Sequence, residues 1–284
     1  MNEPGANVRV VTPDEAAALM APLTDLVVKA GRAILGVNRR AMKVEDKHDG
    51  SPVTEADLAA DRLIADGLAQ LAPDLPALSE ESVHAAKLPF RGSFFLVDPL
   101  DGTKEFVAGR DEYTVNIALV TEGVPLLGII GAPAFGWLWR GLVGRGAERL
   151  RLSEAGAGPP EPIHTRAFPK RGEAWIAAVS RSHADVRTEA FIDARPGAVR
   201  AKLGSAVKFG RLAEGAADIY PRLGPTSEWD VAAGCAVVTA AGGKVTDSRG
   251  ARTPARARVP GLAARARGAR PPPGTRTGPG TPED

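Results

Sequence analysis

The sequence predicts a protein of mixed helices and strands, in which an α+β half precedes an α/β half. Near the N-terminus, apolar residues such as Leu19, Leu23 and Val27 recur at helical spacing. The middle of the chain changes to continuous apolar runs typical of buried strands, and after residue 165 strands and helices alternate. We therefore predict three segments, covering residues 1–165, 166–248 and 249–284.

Length and composition set the class of protein. A chain of 284 residues, 44% of them hydrophobic, can bury a large core. The single cysteine, Cys235, excludes an internal disulfide framework and favours a reducing compartment. No basic N-terminal segment precedes an apolar stretch, and no window approaches the roughly 18–20 apolar residues of a membrane span. We expect a soluble, cytoplasmic protein without a membrane span.

Two helices are predicted in the first segment. Thr12 can cap a helix that runs to residue 36 with Pro13 at its first position, while Pro22 lies inside the pattern and would split or kink it. In the second helix, over residues 51–71, Thr54 and Asp57 match a capping box with Asp in the usual Glu or Gln place.

The strands follow. "SFFLVDP" reads as a buried strand, and residues 113–133 read as two strands joined through Glu122-Gly123. Beyond residue 165 the alternating pattern predicts, in order, the strand "AWIAAVS", the helices "HADVRTEAFIDA" and "SAVKFGRLAEG", the strand "ADIYP", the helix "WDVAAGCAVVTAAGG" and the strand "KVTD".

Residues 249–284 differ in composition from the rest. They hold eight arginines against two acidic residues, a net charge of +6, whereas residues 1–248 carry −4. The body of the protein is therefore not expected to bind nucleic acid. The segment also has seven prolines, six glycines and no Ile, Met or aromatic residue, a composition that cannot offset the entropy of ordering.

Two interpretations of this C-terminal segment stay open. Its restriction to residues with GC-rich codons suggests a frameshift near residue 249, and the alternative is a natural basic disordered tail. In either case we expect no further strand after Asp247.

The segment "LVDPLDGTKEF" carries the chemistry. An apolar strand delivers Asp98 and Asp101 to its end, and Pro99 stiffens the backbone between them. Carboxylates with the Leu100 carbonyl suit a hard cation such as Mg²⁺, which prefers oxygen ligands and keeps substrate phosphates among them. Gly102-Thr103-Lys104 can begin a helix whose free N–H groups face a phosphate. Alone, the segment could equally be a tight turn with capping aspartates.

Three further acidic segments favour the metal interpretation. Glu80 and Glu81 follow the run "ALS", Asp57 begins a helix, and Asp230 begins another. Each of them alone is more simply a cap or a solvated acid. Four acidic groups at the edges of apolar elements together predict a metal and phosphate site.

These segments resemble a known superfamily. "SPVTEADLAADRLI", "LSEES", "LVDPLDGTKEF", "YTVNIALV" and "WDVAAG" followed by "AAGG" are similar to the inositol monophosphatase superfamily, with its D-P-[LI]-D-G-T and W-D-x-A-A-G motifs. More narrowly, "DPLDGTKEF", "SRSHAD", "GSAVKF" and "AEGAADIYPRLGPTSEWDVAAG" resemble the CysQ-type 3'(2'),5'-bisphosphate nucleotidases. The resemblance implies a layered αβαβα sandwich of the inositol monophosphatase and sugar phosphatase type.

The resemblance also implies roles for individual residues. Glu80, Asp98 and the Leu100 carbonyl would hold a first Mg²⁺, and Asp98, Asp101 and Asp230 a second, with a weaker third ion near Asp57 as an open alternative. Asp57, Glu80 and Thr103 would be catalytic, with Asp57 and Thr103 orienting the attacking water. Substrate contacts would come from Gly102, Thr103, Lys104, His183, Ser205, Lys208 and Arg222.

The activity implied is Mg²⁺-dependent hydrolysis of the 3'-phosphate of adenosine 3',5'-bisphosphate to AMP and phosphate, a nucleotide-recycling step of sulfur assimilation. The partner would be a phosphorylated nucleotide, with a homodimer as a further expectation. Two alternatives stay open: an inositol monophosphatase or other sugar phosphatase, and an inactive remnant or polyanion-binding protein acting through the Arg-rich tail.

Overall fold

The computed structural model describes residues 9–46, 52–81, 92–170, 172–182, 185–195, 197–224, 226–247 and 262–265. The helices are α1 (Pro13–Gly36), α2 (Glu55–Leu71), α3 (Thr103–Val107), α4 (Val186–Asp193), α5 (Val207–Ala213) and α6 (Glu228–Ala240). The strands are β1 (Val44–Asp46), β2 (Pro52–Thr54), β3 (Ala77–Ser79), β4 (Ser93–Asp101), β5 (Thr114–Thr121), β6 (Val124–Ala132), β7 (Trp137–Leu142), β8 (Gly146–Ser153), β9 (Gly156–Ala157), β10 (Glu161–Ile163), β11 (Ile176–Ser180), β12 (Val199–Leu203), β13 (Ile219–Arg222), β14 (Lys244–Asp247) and β15 (Leu262–Arg265).

Five layers build the molecule. The large sheet has the strand order β10-β8-β7-β6-β5-β4-β3, with β9 paired to β8. One buried cluster joins α1 and α2 to one face of this sheet, and a second joins its other face to α5, α6 and the small sheet. A third cluster packs α4 on the outer face of the small sheet. The layer order is therefore αβαβα, as the resemblance to the inositol monophosphatase superfamily implies.

The large sheet is buried on both faces, which explains its continuous apolar strands. In β4, Phe94 and Leu96 face the α5–α6 layer, whereas Phe95 and Val97 face α1 and α2. This alternation follows from the two-residue period of a strand. A fully buried strand of this kind presents its end to a rigid environment on both sides.

The first helix has the predicted bounds and is continuous through its internal proline. Thr12 and Glu15 form a capping box, with Pro13 at the first helical position as predicted. Pro22 lies inside α1 and does not split it, so the predicted split is wrong, whereas the alternative of a kink stays a prediction. The lost hydrogen bond is offset because residues on both sides of Pro22, such as Ala16 and Leu23, are fully buried in the core.

The small sheet contains an unexpected strand. Its order is β12-β11-β13-β15-β14, and β15 pairs antiparallel with both β13 and β14. The prediction that no strand follows Asp247 is therefore wrong. Residues 262–265 have the sequence Leu-Ala-Ala-Arg. Strands β13 and β14, on either side of them, provide the backbone hydrogen bonds that hold them as a strand, and the local sequence does not indicate these partners.

Within the described ranges, no helix is both long and apolar enough to cross a membrane.

Candidate active site

A β-bulge aims the two aspartates of β4. Asp98 pairs with Asn116 of β5 and Asp101 pairs with Thr114, so three steps along β4 oppose two along β5. Residues three apart in a regular strand point to opposite faces, and the extra residue of the bulge corrects this. Pro99 fits inside the bulge because it has no N–H to contribute to the ladder. Both carboxylates therefore line one cavity.

The remaining acidic residues come from neighbouring elements. Glu80 follows β3, which runs parallel to β4, and its amide donates to the Val97 carbonyl at 3.1 Å, beside Asp98. Asp57 and Asp230 are the third residues of α2 and α6, where each completes a capping box. A capping role and a site role are thus compatible at these two positions.

Thr103 connects the bulge to α2. Its hydroxyl lies 3.0 Å from Oδ1 of Asp57 and 3.2 Å from the Leu100 carbonyl, either of which can accept its proton. The other oxygen of Asp57 accepts from the Thr54 amide at 2.8 Å and from the Thr54 hydroxyl. These contacts fix both the aspartate and the threonine at the edge of the cavity.

The cavity has a volume of about 220 Å³ and a mainly polar lining. Residues predicted for the site make up most of its wall: Glu80, Asp98, Leu100, Asp101, Gly102, Thr103, Lys104, Ser205, Lys208, Arg222 and Asp230. Asp57 lies one hydrogen bond behind it, through Thr103.

Burial and mutual repulsion disturb the acidic groups. Burial raises the pKa of Asp98 well above its usual range, and the charges of Glu80, Asp101, Asp230 and Asp57 raise it further. Burial and the charge of Asp101 likewise raise the pKa of Asp230 to about 6, although Thr226 and Arg222 oppose the shift. Carboxylates facing one another in this way favour a cation between them.

The donor set fits magnesium. Asp101 receives hydrogen bonds at Oδ2 from Ser205, at 2.9 Å, and Asp230 receives them at Oδ2 from Thr226, at 2.8 Å. In the described part of the chain, no hydrogen bond reaches the Oδ1 atom of either aspartate, which leaves those oxygens available to a hard cation. Among the described residues, no three His, Cys, Asp or Glu side chains already meet the geometry of a metal site.

Two cationic residues, Lys208 and Arg222, line the same cavity. Lys208 is buried, and its ammonium donates to the carbonyls of Leu203 and Ser205; burial lowers its pKa to about 8. Burial also lowers the pKa of Arg222, but Tyr220, Asp230 and Asp101 raise it by more, so its net pKa is raised. The cavity thus contains both acidic groups and cationic groups that can receive an anion.

A model of the inositol monophosphatase family matches residues 16–270. The chain belongs to the inositol monophosphatase family. Among the curated relatives, the protein named 3'(2'),5'-bisphosphate nucleotidase CysQ from Escherichia coli strain K12 is 40% identical over 233 residues, or 79% of this chain and 89% of that protein. Its counterpart of the same name from Haemophilus influenzae is 31% identical over 225 residues, or 78% and 82% of the two chains.

Solved structures of the inositol monophosphatase family share the fold. CysQ from Bacteroides thetaiotaomicron is 31% identical and superposes with a TM-score of 0.69 over 88% of this chain and 97% of that one. The extragenic suppressor protein suhB from Bartonella henselae is 26% identical, with a TM-score of 0.72 over 88% and 94% of the two chains.

Three residues singled out in the sequence differ from the simple prediction or cannot be compared with it. The Ser205 hydroxyl donates to Asp101, so it contacts a predicted metal ligand and not only the substrate side of the cavity. Glu81 is described but does not line the cavity. His183 lies outside the described residues.

Several cavity residues were not predicted from the sequence. Besides Pro52, Ser180, Phe209 and Tyr220, they include Glu105, which belongs to the "DPLDGTKEF" segment. Thr114 and Asn116 lie beside Asp101, at 3.4 and 3.5 Å from its Oδ2 atom. These two are polar residues in the otherwise apolar strand "YTVNIALV", and that contrast is the feature of the sequence that could have identified them as site residues.

Proposed function

We propose that the protein is a Mg²⁺-dependent phosphomonoesterase that hydrolyses the 3'-phosphate of adenosine 3',5'-bisphosphate to AMP and phosphate. The observation that carries this proposal is that Asp98, Asp101 and Asp230 line the same cavity as the cationic residues Lys208 and Arg222. The name of the curated relatives supports the nucleotide as substrate.

Two magnesium ions would be held by oxygen ligands of this chain, as the resemblance implies. Glu80, Asp98 and the Leu100 carbonyl would hold one ion, and Asp98, Asp101 and Asp230 the other; a third near Asp57 stays an alternative. When bound there, magnesium supplies Lewis acidity toward phosphate oxygens and lowers the pKa of water. It would also relieve the repulsion that raises the pKa of Asp98.

Thr103 and Asp57 would orient the attacking water. Because the Thr103 hydroxyl donates to Asp57, its lone pairs are left to accept a hydrogen bond from water. A proton released by that water can pass to the Thr103 oxygen as the threonine proton moves to Asp57 Oδ1. The capping contacts of Asp57 hold this carboxylate still, which keeps the reacting atoms aligned.

The two phosphate groups of the substrate would contact different residues of the cavity. The backbone amides of Gly102 and Thr103 would receive the 3'-phosphate, and Lys104 lies exposed at the same rim. Arg222 and Lys208 would receive the 5'-phosphate, because two cations in the same cavity match a second anionic group. A cytoplasmic location and a homodimer remain expectations of the proposal.

Phosphate release tests the proposal. Purified protein is assayed with adenosine 3',5'-bisphosphate and with inositol 1-phosphate, with and without Mg²⁺, beside Asp98→Asn and Arg222→Ala. We expect phosphate release to depend on Mg²⁺ and to be faster from the nucleotide. In Asp98→Asn the rate of release should fall about a thousandfold. In Arg222→Ala it should fall about a hundredfold for the nucleotide alone.

Other outcomes separate the alternatives. Equal losses for both substrates in Arg222→Ala would favour the inositol or sugar phosphatase. No release from either substrate by a folded protein, with polyanion binding that disappears when residues 249–284 are deleted, would favour the non-enzymatic alternative.

A further inference from the structure

Two acidic residues near the cavity have no part in the proposed reaction. Glu105 lies in α3 and is 4% exposed, and Glu112 lies in the connection from α3 to β5 with 15% of its side chain exposed. Buried carboxylates are costly unless they are paired. Their partners therefore indicate what they do.

Glu112 binds two segments of the C-terminal half. Arg181, directly after β11, donates to both of its carboxylate oxygens in a fork, at 2.9 and 2.8 Å. The Gly204 amide, directly after β12, donates to Glu112 Oε2 at 3.0 Å. Burial raises the pKa of Glu112, but Arg181 and Gly204 lower it by more, so the carboxylate stays ionised.

The backbone is closely packed at this contact. A Cβ atom on Gly204 would lie 2.5 Å from the Glu112 carbonyl oxygen and 3.0 Å from Glu105 Cγ. Only a glycine allows the two halves to approach this far. The contact is therefore a fixed feature of the packing and not a flexible surface ion pair.

Glu105 binds the same turn as Glu112. It accepts a hydrogen bond from the hydroxyl of Ser182, the residue after Arg181. Arg110 donates to the Ser182 hydroxyl at 3.3 Å and lies 4.0 Å from the Glu105 carboxylate. Both residues of this turn are thus held by carboxylates of the N-terminal half.

The segments held in this way carry cavity residues. Ser180 precedes the turn and lines the cavity, and Gly204 precedes Ser205, whose hydroxyl donates to Asp101 at 2.9 Å. The carbonyls of Leu203 and Ser205 in turn hold the ammonium of Lys208. Movement of the Gly204 segment would therefore move Lys208 relative to Asp101.

We propose that Glu112, supported by Glu105, is a positioning residue for substrate specificity, because through Gly204 and Ser205 it fixes Lys208 relative to Asp101. The proposal rests on the proposed function. It predicts that losing the Glu112–Arg181 fork weakens recognition of a second phosphate more than it weakens phosphomonoester cleavage.

The test compares two substrates that differ only in the second phosphate: adenosine 3',5'-bisphosphate and adenosine 3'-monophosphate. For Glu112→Gln we expect KM for the bisphosphate to rise about tenfold or more with kcat little changed, so that the preference for it over the monophosphate falls about tenfold. Arg181→Lys, which keeps the charge but loses the fork, should give an intermediate preference.

Glu189→Gln is the matched control, because it removes a Glu–Arg pair, with Arg200, that lies wholly within the C-terminal half. Its preference should equal that of the unmodified protein. If the role of Glu112 is purely structural, Glu112→Gln should lose activity on both substrates by the same factor and should also have a lower Tm. That result would overturn the proposal.

Calorimetric binding of both nucleotides without Mg²⁺ separates this inference from the proposed function. Unmodified protein that binds the bisphosphate preferentially in this experiment, yet releases no phosphate from it when Mg²⁺ is present, would refute the proposed function, while the loss of that preference in Glu112→Gln would still support the inference. Absence of binding to either nucleotide, together with absence of phosphate release when Mg²⁺ is present, would overturn both.

Discussion

Lys208 is a buried cation, and its burial opposes folding. Only 2% of the residue is exposed, and burial lowers its pKa from 10.5 to about 8. Between these values the unfolded chain binds a proton that the folded chain does not, so stability rises with pH from about 8 to 10.5. Below pH 8 the full cost is present, about 3 kcal/mol from the size of the shift.

Lys208→Met should therefore stabilise the protein while damaging its activity. At pH 7 we expect the free energy of unfolding to rise by about 1–2 kcal/mol, less than the full cost because the carbonyls of Leu203 and Ser205 lose their donor. Turnover of the bisphosphate should fall about tenfold or more.

Denaturant unfolding of both proteins between pH 7 and 10.5 measures this effect. The difference between them isolates Lys208, because other titrating groups are common to both. The stabilisation should shrink as pH rises, and a difference independent of pH would contradict the assignment.

At the scale of elements, the approach of α6 to β6 sets the position of Asp230. A Cβ atom on Gly128 of β6 would lie 2.2 Å from the Ala233 carbonyl oxygen of α6. Both are backbone positions in packed elements, so neither can rotate away. Gly128 therefore permits the helix that carries Asp230 to lie directly on the sheet.

Gly128→Ala should push α6 from the sheet. We expect a loss of about 1–3 kcal/mol in stability and a fall in kcat/KM for both substrates, because Asp230 moves with the helix. Gly36→Ala is the control: nothing lies within 4 Å of the added atom, so stability should change by less than about 0.5 kcal/mol. Thermal unfolding and phosphate release measure both, and equal behaviour of the two variants would refute the packing argument.

At the scale of the whole molecule, the C-terminal segment takes part in the small sheet. β15 lies between β13, which ends at Arg222, and β14, and it hydrogen-bonds to both. Removing it would leave two strand edges unpaired inside the sheet. The frameshift alternative and the division of the chain at residue 165 stay predictions.

Two truncations test the role of β15. Deleting residues 249–284 should lower Tm by several degrees and raise KM for the bisphosphate through Arg222, since a change of about 1 kcal/mol shifts Tm by about 2–4 °C in a chain of this size. Deleting only residues 266–284 keeps β15 and should leave Tm nearer that of the full chain. Equal Tm values for the two truncations would show that β15 does not contribute.

The sequence by itself determined the features that depend on neighbouring residues. The capping box of Thr54 and Asp57, the apolar run of β4 and the turn at Glu122-Gly123 were all predicted, and both turn residues have positive φ, at 50° and 74°. Local hydrogen bonds and strand or helix periods leave their pattern in adjacent letters, which is why these predictions were confirmed.

Only the tertiary structure decided what distant residues do to one another. The bulge that turns Asp98 and Asp101 into one cavity depends on the register with β5, and the fork between Arg181 and Glu112 joins residues 69 positions apart. The place of β15 depends on strands that enclose it. Such contacts are formed by packing and strand pairing across the chain, and their energy comes from partners that no local pattern of letters identifies.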